Sequence, residues 1–170
     1  MAMHVLWSLE PSLHDYVLAL RRTEYMSRKI EDLTPEAQEK HAAFSNQMAC
    51  AGIDFVTTQT KRTHDEQAAY YAQGREGLDA VNAKRKIANM APITEKENKL
   101  VVTHTMQSNH LTGEAFDIAI KVNGQIQWVS ALYDAAGEIG ESVGLVWGGR
   151  WAGKKKDKPH YELKREKHGA

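Results

Sequence analysis

The sequence predicts an α+β fold, a small antiparallel sheet covered on one side by helices. Three observations carry that expectation. The first half of the chain holds apolar stripes at helical spacing, each opened by a capping residue. The second half holds short runs rich in branched residues, joined by hairpin and turn signals. The polar residue types suited to chemistry cluster at the ends of those later runs.

Residues 8–30 read as a mostly helical segment, with Ser8 and Pro11 as start signals and Leu9, Leu13, Tyr16, Val17 and Leu20 as its stripe. A second helix opens at the cap Thr34 with Pro35 in its first turn. It carries Ala37, His41, Phe44 and Met48 on one face, and stops at Gly52. Cys50, the only cysteine, lies in this helix and is expected to be a buried small apolar residue, which leaves no intramolecular disulfide and no thiolate metal site. Ile53 to Thr58 reads as a strand. Thr63 and Glu66 then form a capping box for a third helix that closes at Gly74. Between residues 75 and 99 the pattern supports only a short helix from Leu78 to Ile87 within a long connection. Leu100 to Thr105 reads as a strand, as does the run ending at Val122, and Asn123-Gly124 marks a hairpin into QIQWV. Ser130 caps a helix to Val143 with Leu132, Ala136 and Ile139 inward, and LVWGG returns as a strand.

One stretch, Ser108 to Asp117 (SNHLTGEAFD), asks for a chemical explanation. It sets His110 and Asp117 seven positions apart, with Gly113 between and apolar residues behind. Ligands on one helix face sit three or four apart, so this spacing suits a loop running into a strand. Gly113 permits the tight path. Strand alternation sends Asp117, Ala119 and Lys121 to one face and Phe116, Ile118 and Ile120 to the other. Zinc takes imidazole nitrogen and carboxylate oxygen, and a catalytic zinc keeps three protein ligands and one open position. His110 and Asp117 supply two. The best third candidate is His160, held behind Pro159 in DKPHYEL. Asp157, three residues earlier, suits a general base on a zinc-bound water. His41, on the apolar face of its helix, and His104 are weaker ligand candidates.

The first motif, Ser108, His110, Gly113, Ala115 and Asp117, and the second, Asp157, Pro159 and His160 preceded by GLVWGGRW, together resemble the zinc peptidases of the D-alanyl-D-alanine peptidase, lysostaphin and hedgehog superfamily. Within it the chain looks like the L-alanyl-D-glutamate peptidase branch found among bacteriophage endolysins, over roughly residues 30–163. The resemblance implies the same α+β fold and Zn2+ on His110, Asp117 and His160. It makes Asp157 the base, and gives Arg62 the task of holding a substrate carboxylate or developing oxyanion, with Gln67 in support. Ser108 is expected to hydrogen-bond within the loop and orient the ligands, since no nucleophile elbow surrounds it. The chain departs from the family at Thr60 and Lys61, where glycine and tyrosine are usual, and at Arg150, expected to influence what approaches the cleft. Trp147 and Trp151 are expected as core and wall.

At 170 residues with zero formal net charge, the chain reads as one catalytic domain and not as a general nucleic-acid binder. No secretory signal and no run of about 20 apolar residues appear, so membrane insertion is not expected. The expected state is a monomer made in the cytoplasm of a host cell, reaching the wall after release across the inner membrane. Lysines crowd residues 154–167, as a solvated tail or as an attraction to anionic envelope polymers. The expected partner is the peptidoglycan stem peptide, cut between L-alanine and D-glutamate. Trimming of terminal D-alanine by the same fold, and a zinc-stabilised binding protein without catalysis, are the alternatives. Manganese or cobalt suit the same ligands.

Overall fold

A computed structural model describes residues 27–128 and 131–164, without the side chain of Lys154. The helix expected over residues 8–30 lies largely outside the described residues, and its last part is not helical: 27–29 are irregular and Ile30–Asp32 form one 3-10 turn. The elements that follow are α1 (Pro35–Cys50), β1 (Asp54–Gln59), α2 (His64–Ala72), α3 (Leu78–Ile87), β2 (Ala115–Val122), β3 (Gln125–Gln127), α4 (Leu132–Ser142), β4 (Leu145–Trp147) and β5 (His160–Leu163). Every strand pair is antiparallel, in the order β1-β2-β5-β4 with β3 on the far half of β2.

Local chemistry accounts for the helix starts. Thr34 Oγ1 accepts from the Ala37 amide at 3.3 Å with Pro35 in the first turn. At α2, Thr63 Oγ1 accepts from the Glu66 amide at 3.2 Å while Glu66 Oε2 accepts from the Thr63 amide at 2.6 Å, the reciprocal capping box. Asn123 and Gly124 both take positive φ, 52° and 77°, as the turn between β2 and β3 requires.

The core lies between one face of the sheet and the pair α1 and α4. Ala37, His41, Phe44 and Met48 of α1 are buried, and Phe44 meets Phe55, Phe116 and Tyr161 at ring separations of 4.9–5.9 Å. Phe116, Ile118 and Ile120 point into this core and leave Asp117 on the opposite face. His41 is a core residue, its Nε2 2.8 Å from Thr57 Oγ1. Helix α4 buries Tyr133, Ala136, Gly137 and Gly140, spaced i, i+3, i+4, i+7. Of the expected inward residues Ala136 is buried and Ile139 packs against the core, while Leu132 is exposed and Tyr133 takes the inward place. The two glycines let the helix approach closely, because a Cβ on Gly137 would lie 2.3 Å from the Trp147 ring and one on Gly140 2.5 Å from Tyr161. Ser130, the expected cap, lies outside the described residues.

Two further expectations fail. Cys50 is exposed, since it ends α1 off the stripe formed by Phe44 and Met48. Leu100 to Thr105 forms no strand, and Leu100, Val101 and Val102 are exposed. Branched residues favour a strand only where a ladder partner is present, and here side chains of the α2 region take the carbonyls instead. Gln67 donates to Thr105 O at 2.5 Å and Arg75 to Thr103 O at 3.0 Å. The connection before it is ordered by similar means. Asn82 of α3 both donates to and accepts from the Ile93 backbone, at 3.0 and 2.8 Å, over a small second core of Ala72, Val81 and Ile93.

Candidate metal centre and its cleft

Asp117 and His160 are direct register partners across β2 and β5, so both side chains leave the sheet on the face away from the core. His110 reaches the same point from the turn before β2. That turn is pinned on three sides. Arg62 donates its amide to His110 O at 2.9 Å, Thr34 donates to Gly113 O at 2.9 Å, and Ser108 Oγ accepts from the His110 amide at 3.4 Å. Gly113 has φ +76°, and a Cβ there would come within 2.7 Å of Asp32 O, so only glycine fits.

The three side chains meet as a nearly equilateral triangle. His110 Nε2 lies 3.2 Å from Asp117 Oδ1 and 3.2 Å from His160 Nδ1, which is 3.0 Å from Asp117 Oδ1. Their other ring nitrogens are occupied. His110 Nδ1 donates to the Thr60 carbonyl at 2.6 Å, and His160 Nε2 donates to Glu162 Oε2 at 3.1 Å. A carbonyl and a carboxylate only accept, so the protons sit on those outer nitrogens. In the neutral tautomers, three lone pairs therefore converge with no proton between them.

A cation resolves that convergence. Corners of a tetrahedron around an ion with bonds of about 2.0–2.1 Å lie roughly 3.3 Å apart, close to the separations found here. The donor set of two imidazoles and one carboxylate fits zinc, and outer partners on both histidines are the usual supports of such ligands. The electrostatics agree. Burial opposes ionisation of Asp117, but with the rings protonated the His110 charge and hydrogen bonds from both histidines hold its carboxyl well below the usual range. For His160, burial lowers the pKa, yet hydrogen bonds to Asp117 and Glu162 outweigh it and push the ring up to about 9. The site draws positive charge. Among the described residues, this is the one cluster of histidine and acidic side chains with ligand atoms close enough to share an ion.

An open cleft of about 650 Å³ lies over the triangle. Arg62, Asp157 and Trp151 line it. Asp157 is anchored by its amide, which donates to Gly148 O at 3.0 Å. Its pKa is raised, first by desolvation and then by the negative charge of Asp117, against the pull of the two histidines and Arg62. Arg62 is held rigidly: it donates to Gln67 Oε1 at 2.7 Å and to Gln59 Oε1, and lies 4.7 Å over the Tyr70 ring. Gln67, fully buried, thereby ties Arg62 to the 103–105 wall.

The sequence-predicted residues thus fall in one place, with exceptions. His104 is exposed on the cleft wall and does not join the triangle. Arg150, expected to influence the approach to the cleft, turns away and pairs with Glu141 at 2.8 Å. Trp147 is buried in the core and donates to Lys158 O at 2.8 Å, while Trp151 packs 5.0 Å from the His160 ring as wall. Three contributors escaped sequence reasoning: Glu162, the Thr60 carbonyl and Gln59. Glu162 was findable, two residues after His160 on the same strand face.

Comparison with known proteins identifies the family and the fold. The chain is 31% identical to the peptidoglycan L-alanyl-D-glutamate endopeptidase CwlK of Bacillus subtilis, over 78% of this chain and 74% of that one. A family profile described as D-alanyl-D-alanine carboxypeptidase matches residues 102–163. The chain belongs to the D-alanyl-D-alanine carboxypeptidase family. The family match contains His110, Asp117, Asp157, His160 and Glu162, and leaves Arg62 and Gln67 before it. Solved structures share the fold. The L-Ala D-Glu endopeptidase ChiX of Serratia marcescens aligns with a TM-score of 0.55 at 17% identity, covering 84% of this chain and 88% of its own. The LD-carboxypeptidase LdcB aligns at 0.53 and 17%, over 77% and 58%. The D,D-pentapeptidase VanY, solved with Zn(II), aligns at 0.51 and 16%, over 77% and 72%. The family fold is therefore the α+β arrangement that the sequence predicts.

Proposed function

We propose that this chain is a zinc-dependent peptidoglycan peptidase that hydrolyses the L-alanyl-D-glutamate bond of the stem peptide. The observation that carries the reading is the triangle of His110, Asp117 and His160, opening into a cleft that also holds Asp157 and Arg62. The relationship to CwlK, whose name states that bond, favours the endopeptidase over terminal D-alanine trimming.

His110, Asp117 and His160 would hold the zinc ion, which would supply Lewis-acid polarisation of a carbonyl and a water acidified to a pKa of about 7. Asp157 takes the proton from the attacking water as the C–O bond forms, and delivers it to the amine as the C–N bond breaks. Arg62 presents a fixed positive charge toward the developing oxyanion, and Gln67 and Gln59 keep its side chain from swinging. Trp151 forms one wall of the cleft beside His160. The biological role consistent with this chemistry is that of a phage endolysin lysing its host from within, delivered to the wall by a separate release protein.

The deciding experiment digests purified sacculi and identifies the new ends by mass spectrometry. New N-terminal D-glutamate is expected. Released free D-alanine would replace this reading by a carboxypeptidase, and no product from protein carrying stoichiometric zinc would leave a binding role. Clearing of outer-membrane-permeabilised cells, stopped by chelator and restored by zinc, tests the lytic part.

A further inference from the structure

The cations near the cleft fall into two groups. Arg150 is tied to Glu141 at 2.8 Å and Lys158 to Asp134 at 2.8 Å, so both are neutralised on the outer surface. Lys155 and Lys156, only a few residues away in the chain, line the cleft and are exposed, and neither forms an ion pair among the described residues. Two of the three cleft carboxylates are engaged, and the third, Asp157, answers to the charges of the triangle and Arg62 and to neither lysine. Asp117 is taken up by the two histidines, and Glu162 by His160. Arg62 is buried and committed to Gln59, Gln67 and the Tyr70 ring. Two exposed positive charges thus line the cleft without a direct ion pair among the described residues, Lys156 acting on Asp134 only at longer range.

We infer that Lys155 and Lys156 form a carboxylate-reading subsite, which selects substrates carrying a free carboxylate on the residue that follows the scissile bond. The inference rests on the proposed endopeptidase reading. There the following residue is D-glutamate, which has two carboxyl groups. One is consumed in continuing the peptide, so the other remains as a free anion within a few bonds of the leaving amine. Converting it to a primary amide keeps its size and removes its charge. A lysine ammonium is a compact, hydrated point charge on a flexible stem, suited to meeting a carboxylate at an open lip. A fixed guanidinium beneath is better suited to the reaction centre. Attraction at such an exposed site is modest and screened by salt, so the selectivity expected is about fivefold, expressed in KM.

The test uses the zinc-loaded protein and two stem peptides that differ only in that group, free carboxylate or primary amide. The expected result is about fivefold higher kcat/KM for the free acid, carried by KM and shrinking as salt is raised. The preference should fall toward unity in the Lys155→Gln/Lys156→Gln protein and persist in Lys158→Gln, whose charge is already paired outside the cleft. Equal hydrolysis of the two peptides by the unaltered protein overturns the inference, as does a preference that survives in the double variant. Calorimetric binding of the same peptides to the Asp157→Ala protein reads the preference without turnover. Tighter binding of the free acid supports the subsite even if neither peptide is cut, an outcome that would count against the proposed reaction alone. Equal or absent binding removes the subsite.

Discussion

Asp157 and Glu162 flank His160 in the chain and do different things to it. Asp157 lines the cleft and is free of the triangle. Its replacement by asparagine is expected to cut kcat by at least about a hundredfold while zinc content by elemental analysis is unchanged. An active variant with full zinc would remove Asp157 from the mechanism. Glu162 acts through His160 Nε2. Glu162→Gln is expected to weaken zinc affinity by about 10–100-fold in a chelator competition, with a smaller change in KM than in metal affinity. At this scale the meeting of His110, Asp117 and His160 was legible from the motif spacing, whereas Arg62 and Gln67 were expected only from the resemblance, since an arginine before a capped helix has ordinary surface uses. The Thr60 carbonyl was not legible, since a backbone acceptor leaves no trace in residue identity. Gln59 was hidden too, its aim depending on a register shift between Thr57 and Gln59 in β1.

Among the elements, α1 and α4 carry the core against which β2 and β5 hold the ligands. Helix α4 depends on its glycines. Gly137→Ala drives a methyl into the Trp147 ring, an overpacking expected to cost about 1–3 kcal/mol, read as a lower midpoint in urea denaturation. Helix α1 carries a pH dependence. Burial lowers the pKa of His41 from 6.5, so the folded protein binds fewer protons there than the unfolded chain. This contribution to stability is complete above about pH 6.5 and is lost as pH falls below it toward the lowered folded value. His41→Gln should flatten the decline in urea midpoint between about pH 7 and 5.5, and an unchanged decline would assign it to other groups. Caps were readable here because they are local: Thr34 and the Thr63–Glu66 box answer amides three residues away. Leu100 to Thr105 was misread because its partners, Gln67 and Arg75, lie about thirty residues earlier and satisfy it by side chains. In α4 only Leu132 was misread, for a related reason, as Tyr133 is chosen over it by the sheet the helix meets, where its hydroxyl accepts from the Ile120 amide.

On the scale of the whole molecule, the candidate ligands come from a turn and two strands that are distant in sequence, with separations of 43 and 50 residues to His160. An ion bound by the native site and not by the unfolded chain stabilises by mass action. At a free concentration of a hundred times Kd the gain is about 2.7 kcal/mol, roughly 5–10 °C in Tm for a chain of this size. Chelation should lower Tm by that order and zinc should restore it. A Tm indifferent to both would argue against a resident ion.

The direct pairing of Asp117 with His160 has a mechanical side. An ion gripped by both would rivet neighbouring strands at the point where β5 begins, beside the Ile118 amide, which donates to Pro159 O at 3.0 Å. The short strand β5 also carries β4 on its other edge. Stripping the ion should therefore open the sheet from that end: deuterium would enter at Ile118 and along Tyr161 to Leu163 well before it reaches the β1–β2 ladder. The metal would then set the order in which the molecule comes apart.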